Sequence, residues 1–226
     1  FQTIFLHRYA SHQMFTMSKF WEKVFFFLTF LVQGSSFLNP RAYAILHRLH
    51  HKHSDKEKDP HSPKFSKNII MLNINTVKHY ESIRRNKKDY SKYDYNVPRW
   101  EPLEKFSDYW LTRVSFIAFY TLVYATYSTS TWQYMLLPIH FVMGPLHGSI
   151  VNWCGHRYGY VNHKKTNDKS KNTLPFDFLM MGELFQNNHH WKPKSINFSS
   201  RWFEIDPGFL FTKILNKINM IRINNG

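Results

Sequence analysis

Apolar residues fall in blocks along this chain. Residues 24–38 are apolar and rich in phenylalanine, but Gln33, Gly34, Ser35 and Ser36 interrupt the run. A bilayer crossing takes about 20 residues, so the stretch reads as a segment that dips into a membrane or is buried in the protein without crossing. Two longer apolar stretches, 109–127 and 132–151, follow in close succession, each flanked by Trp and Tyr and joined by an uncharged link. They predict a helical hairpin of near-spanning length. Arg113 lies near enough to the polar end of the first helix to snorkel, whereas Pro138, Gly144 and Pro145 predict a bend in the second. His140 and His147, seven residues apart on that second helix, share a face, where they line a cavity or bond between helices.

The blocks on either side, 40–108 and 155–226, are polar and hold most of the Lys and Arg residues. Within the first, residues 59–63 read as a turn and 84–92 as a charged surface stretch. Within the second, 209–221 has an amphipathic pattern suited to a membrane surface or to packing on the polar part. Both basic blocks flank a hairpin with an uncharged tip, and the positive-inside tendency puts both on the cytoplasmic side. The expectation is a single all-α unit over 1–226: an integral membrane helical bundle with a cytoplasmic helical cap.

A length of 226 residues suits one domain with a substantial core. Aromatic residues make up 18% of the chain and charged residues 20%, unevenly placed. The formal charge of +15 points to an anionic membrane surface or a phosphate-bearing substrate, with a solvated basic surface accounting for much of it. No nucleic-acid motif accompanies it. The one cysteine, Cys154, cannot form an internal disulfide and reads as a small buried side chain beside His156.

Histidine spacing carries the chemistry. On a helix, His47, His50 and His51 project from one sector, so three imidazoles can grip a metal. Gln186, His189 and His190 repeat the same offsets, and Asn152 and His156 stand at i, i+4. His7 and His12 are about 140° apart on an ideal α-helix, a spacing suited to a helix end or to two different ions. Burying this many imidazoles without a metal or partners would be costly. Eight histidines with Asn152 and Gln186 exceed one four-ligand site and suggest two ions, held mainly by nitrogen; zinc, copper, iron and nickel all suit imidazole.

The run His-x-x-x-x-His at 7–12, His-x-x-His-His at 47–51, Asn-x-x-x-His at 152–156 and Gly182-Glu183-Leu184-Phe185-Gln186-Asn187-Asn188-His189-His190 resembles the membrane fatty acid desaturases, in particular the delta-9 acyl-CoA branch. The resemblance covers nearly the whole chain. It implies a non-haem di-iron enzyme using O2 and two electrons to remove two hydrogens from an unactivated acyl chain. His7, His12, His47, His50, His51, His156, His189 and His190 would ligate two Fe2+ ions, and Asn152 would hold an iron-bound water. Much of that family has His where this chain has Gln186, which is then either a ligand or a group bonded to one. The family also has two membrane helices ahead of the first box, where this chain begins, so the bundle is expected to be incomplete here.

The substrate expected is a fatty acyl-CoA or acyl lipid, and Arg84, Arg85, Lys87 and Lys88 are candidates to meet its phosphates. With no haem or iron–sulfur domain recognisable in the sequence, a separate ferredoxin, rubredoxin or cytochrome is implied as electron donor. Two other readings share these residues: a di-iron hydroxylase of alkyl or carotenoid substrates, and a non-catalytic membrane-associated module binding zinc.

Overall fold

The computed structural model describes residues 1–224; residues 225 and 226, the end of the expected cytoplasmic block, lie outside the described residues. The chain is mostly helical. A π-helix over Gln2–Ser11 leads into strand β1 (Phe15–Thr16), which pairs antiparallel with β2 (Arg222–Ile223) and ties the two ends of the chain together. Between them run α1 (Lys19–Gln33), α2 (Pro40–His53), α3 (Ile69–Arg84), α4 (Glu101–Asp108), α5 (Trp110–Tyr127), α6 (Leu137–Phe141), α7 (Met143–Gly155), α8 (Gln186–Trp191) and α9 (Pro207–Lys217).

Local chemistry sets the ends of the helices that matter for the site. Ser18, Asn39, Asn68 and Asp206 each accept a bond from a backbone N–H in the first turn of α1, α2, α3 and α9, and Pro40 and Pro207 enter α2 and α9 where a missing N–H costs nothing. The core is aromatic: Phe5, Phe15, Phe25, Phe26, Phe30, Phe37, Phe185 and Phe198 are buried together with Ile4 and Leu6 of the π-helix. The π-helix is therefore a central element, with α1, α2 and α9 packed around it.

The run 24–38 is buried on one face, through Phe25, Phe26 and Phe30, while Phe27, Leu31 and Val32 stay exposed. The first stretch of the expected hairpin is α5. The second is not one helix: a 3₁₀ segment Thr131–Leu136 runs into α6 and then α7, and Thr131–Phe141 and Met143–Gly155 meet at 81°. Pro138 and Pro145 lack the N–H groups that a continuous helix would use. Gly144 packs against Ser36, whose carbonyl oxygen would lie 2.6 Å from any Cβ there. His140 and His147 consequently sit on different helices, and neither belongs to a metal-competent group. Among the described residues no single helix is long and apolar enough to cross a membrane; the bent pair passes that test only together.

The 209–221 stretch forms α9. It packs on the π-helix through Gly208, Thr212 and Leu215 and leaves Leu210, Phe211, Ile214 and Ile218 exposed.

Candidate metal centre

Five imidazoles converge in one group: His7 and His12 from the π-helix and its cap, His47 and His51 from α2, and His189 from α8. The π-helix is what joins the first two. A π-helix closes i→i+5 hydrogen bonds, and the His12 amide donates to the His7 carbonyl, so residues five apart return to nearly the same side. The 140° separation of an α-helix does not apply, and the two rings lie 5.0 Å apart in one cluster. Of the two expectations for this pair, the helix end holds, since His12 caps the π-helix, and the division between two ions does not, since both rings join one group.

Within the cluster the Nε2 atoms face one another: His12 to His47 at 2.7 Å, His47 to His51 at 3.0 Å, His51 to His189 at 2.9 Å and His189 to His7 at 3.0 Å. A metal–nitrogen bond of about 2.1 Å sets neighbouring ligands of an octahedron about 3.0 Å apart, so these separations fit one ion shared by all five. Burial, and then the neighbouring imidazoles, hold His12, His47, His51 and His189 well below the usual histidine range. They are neutral at physiological pH, as ligation requires.

A second group is built by His50 of α2, His156 just after α7 and His190 of α8. Their ring centroids form a nearly equilateral triangle with sides of 5.0, 5.1 and 4.9 Å. Each Nε2 is buried without a hydrogen-bond partner, so its lone pair is available to a cation. Each Nδ1 faces a carboxylate: His50 to Asp59 at 2.9 Å, His156 to Asp55 at 2.8 Å and His190 to Asp168 at 2.5 Å. His7 Nδ1 likewise lies 2.5 Å from Glu183 in the first cluster. At His50, His156 and His190 these hydrogen-bonded carboxylates fix the ring and its tautomer and leave Nε2 to bind a metal.

Burial penalises charge on Asp55, but the hydrogen bond from His156 prevails and lowers it to about 2. Burial and Asp59 oppose each other at His50, and Asp59 wins, raising it. At His190 burial wins over Asp168 and brings it down to about 4. Asp168→Asn is accordingly expected to lower metal affinity at the second group about 10–100-fold while leaving the first group filled, which metal titration followed by elemental analysis would read.

The structure thus brings all eight expected histidines together but divides them differently: His47 and His51 serve one group and their neighbour His50 the other. His189 and His190 are split in the same way. Gln186 is buried beside Gly155 and donates its amide nitrogen to the Glu183 carbonyl at 2.7 Å. Asn152 donates to the Gly148 carbonyl and lines a cavity next to the site. Arg84 pairs with Glu81 and Asp108 and Arg85 with Glu81, while Lys87 and Lys88 are exposed at the surface.

Sequence reasoning passed over Glu183, Asp55, Asp59 and Asp168, and over His61, read there only as part of a turn. A signal existed: the chain has only 15 acidic residues, and Asp55, Asp59 and Glu183 stand within a few positions of histidine clusters.

A helical protein presenting two adjoining groups of imidazoles, with carboxylates behind them, is of the class that can hold a pair of metal ions. The chain belongs to the fatty acid desaturase family, whose model matches residues 1–203. Among curated proteins it is 27% identical to an sn-1 stearoyl-lipid 9-desaturase of Synechocystis sp., over 97% of this chain and 65% of that protein. Two Arabidopsis thaliana proteins are similarly related: delta-9 desaturase-like 5 protein, 29% identical over 90% of this chain and 65% of its own length, and delta-9 acyl-lipid desaturase 1, 26% identical over 96% and 68%. The chain spans about two thirds of the length of these relatives.

Proposed function

We propose that this chain holds the di-iron centre of a membrane desaturase that introduces a double bond, at the delta-9 position, into an acyl chain carried on a lipid. The observation that carries this reading is an apolar cavity of about 170 Å³ that reaches the five-imidazole group at His47: Phe37, Leu38, Leu46 and Val77 line it, and His47, His61 and Asn152 stand at its polar side. Two iron ions held by the eight histidines would supply, with O2 and two electrons, the oxidising power that no protein side chain has toward an alkyl C–H bond. The chain's own part is positional. The apolar cavity wall would fix which carbons lie beside the imidazoles, and the carboxylates would hold the rings that hold the ions.

The names of the relatives favour an acyl lipid over acyl-CoA as substrate. Lys87 and Lys88, and Arg84 and Arg85 beyond their pairing with Glu81, would meet its anionic head; Glu81 itself lines the cavity. The outward apolar residues of α5, among them Leu111, Val114, Phe119 and Leu122, suit acyl chains of a bilayer, with the polar blocks on the cytoplasmic side. Electrons would come from a separate ferredoxin, rubredoxin or cytochrome.

Expression in cells lacking unsaturated fatty acids, followed by mass spectrometry of their lipids, tests the reaction. Loss of two hydrogens with the double bond at the ninth carbon is the expected product; gain of an oxygen would make the protein a hydroxylase, and no product with zinc bound would make it neither. The cavity gives a further expectation. A Cβ at Gly148 would meet nothing closer than Gln2 at 3.8 Å, so Gly148→Leu fills the cavity without backbone strain. It should shift the preference for long over shorter acyl chains by about 10-fold or more, read from the product profile.

A further inference from the structure

His61 is only 6% exposed, and neither of its ring nitrogens has a hydrogen-bond partner among the described residues. His50, His156 and His190 leave Nε2 bare but bond a carboxylate through Nδ1; His61 leaves both bare. A buried unpaired polar group is costly, so this ring calls for a ligand from outside the chain. Its centroid lies 4.4 Å from that of His50, and His61, His50 and Asp59 bring one ligand atom each to within 4.8 Å of one another.

This grouping does not make a third site. The Asp59 carboxylate already accepts from His50 Nδ1 and from the backbone N–H groups of Asp55 and His61. The atom left to His50 is Nε2, which it brings to His156 and His190. The segment carrying His61 is anchored at both ends of that group. Asp55, in the left-handed region with φ 58°, accepts from His156 and from the Ser62 hydroxyl, while Asp59 holds His50. A non-glycine residue kept in that conformation is a constraint that the surrounding bonds must maintain.

We propose that His61 is a further metal ligand: the fourth imidazole of the His50–His156–His190 group, approaching from the wall of the apolar cavity. The inference rests on the two-metal reading above and extends it to a residue outside the four histidine clusters. It resolves an imbalance, since the neighbouring group has five imidazoles and this one otherwise three. It also puts one ligand of the second ion on the short segment that borders the substrate cavity.

The test is iron content per chain, measured by elemental analysis after anaerobic loading of the complete protein with Fe2+ and removal of excess metal. Wild type is expected to retain two equivalents, and His61→Ala and the more conservative His61→Asn about one, with circular dichroism unchanged. Millimolar imidazole should restore the second equivalent in His61→Gly, which a structural role for the ring would not allow. Two equivalents retained by every His61 variant would overturn the proposal while leaving the two-metal reading intact. A third equivalent in wild type that is lost on His61 substitution, or loss of both equivalents from His61→Asn without imidazole rescue, would also overturn it. Fewer than two equivalents in wild type would sink both.

Discussion

Replacing His51 with alanine is expected to cost the five-imidazole group more than the roughly 100-fold in metal affinity that marks the upper end for a supporting residue, and to take the proposed desaturation below detection. His51 is the hinge of that group. Its Nε2 lies 3.0 Å from that of His47 and 2.9 Å from that of His189, and its ring stands 4.7 Å from His12 and 4.5 Å from His190. Removing it opens the ring of nitrogens at the point where α2 and α8 face each other. His50 and His190, which belong to the other group, are chain neighbours of His51 and His189, so the two groups share their helices but not their imidazoles. Iron content should therefore fall toward one equivalent, and the remaining one should have the spectroscopic signature of the His50–His156–His190 site. Retention of two equivalents together with desaturation would show that the five nitrogens do not share an ion.

How much of this was readable beforehand depended on whether local spacing or long-range packing placed the residue. The i, i+3 and i, i+4 offsets of His47, His50 and His51 are fixed by the helix, so their inward projection follows from the sequence. Which group each one joins does not, because that depends on where the rest of the chain brings His7, His12, His156, His189 and His190 around α2. His7 and His12 were legible as a pair at a helix end, where His12 indeed stands, but not as ligands of one group, because an α-helix sets them about 140° apart and a π-helix is too rare to assume from sequence. It is maintained here by tertiary contacts, with Phe5 and Leu6 on one side buried in the aromatic core. His61, Asp55 and Asp59 lie on a loop, where no periodicity predicts direction, and Asp168 reaches His190 from another irregular segment. The bend in the second apolar stretch was legible from Pro138 and Pro145; its 81° angle depends on the docking of Gly144 against Ser36 and was not.

The second large effect expected is on stability and centres on Arg8, which follows His7 on the π-helix. Arg8 and Asp206 are both fully buried, with Arg8 Nη2 donating at 2.8 and 2.9 Å to the two carboxylate oxygens. Asp206 also accepts from the backbone N–H groups of Phe198 and Phe209, the latter capping α9. Arg8→Leu keeps much of the volume but strands the carboxylate, and breaking one side of a buried pair costs about 3–5 kcal/mol. For a chain of this size that corresponds to a fall of roughly 6–20 °C in the thermal unfolding midpoint, measured in detergent by circular dichroism. Arg8→Lys should recover part of it, since an ammonium can reach both carboxylate oxygens from one nitrogen as Nη2 does, but it lacks the planar guanidinium that stacks on Phe198. The effect reaches the metal group through Phe198, whose ring lies 4.2 Å beneath the Arg8 guanidinium and 4.6 Å from His189. Loosening that ring frees His189 to turn, so Arg8→Leu should also weaken metal retention at the five-imidazole group and spare the other. Unfolding within 2 °C of wild type, about the shift that 0.5–1 kcal/mol would produce, would mean that water reaches Asp206 and that the pair does not hold α9 to the π-helix.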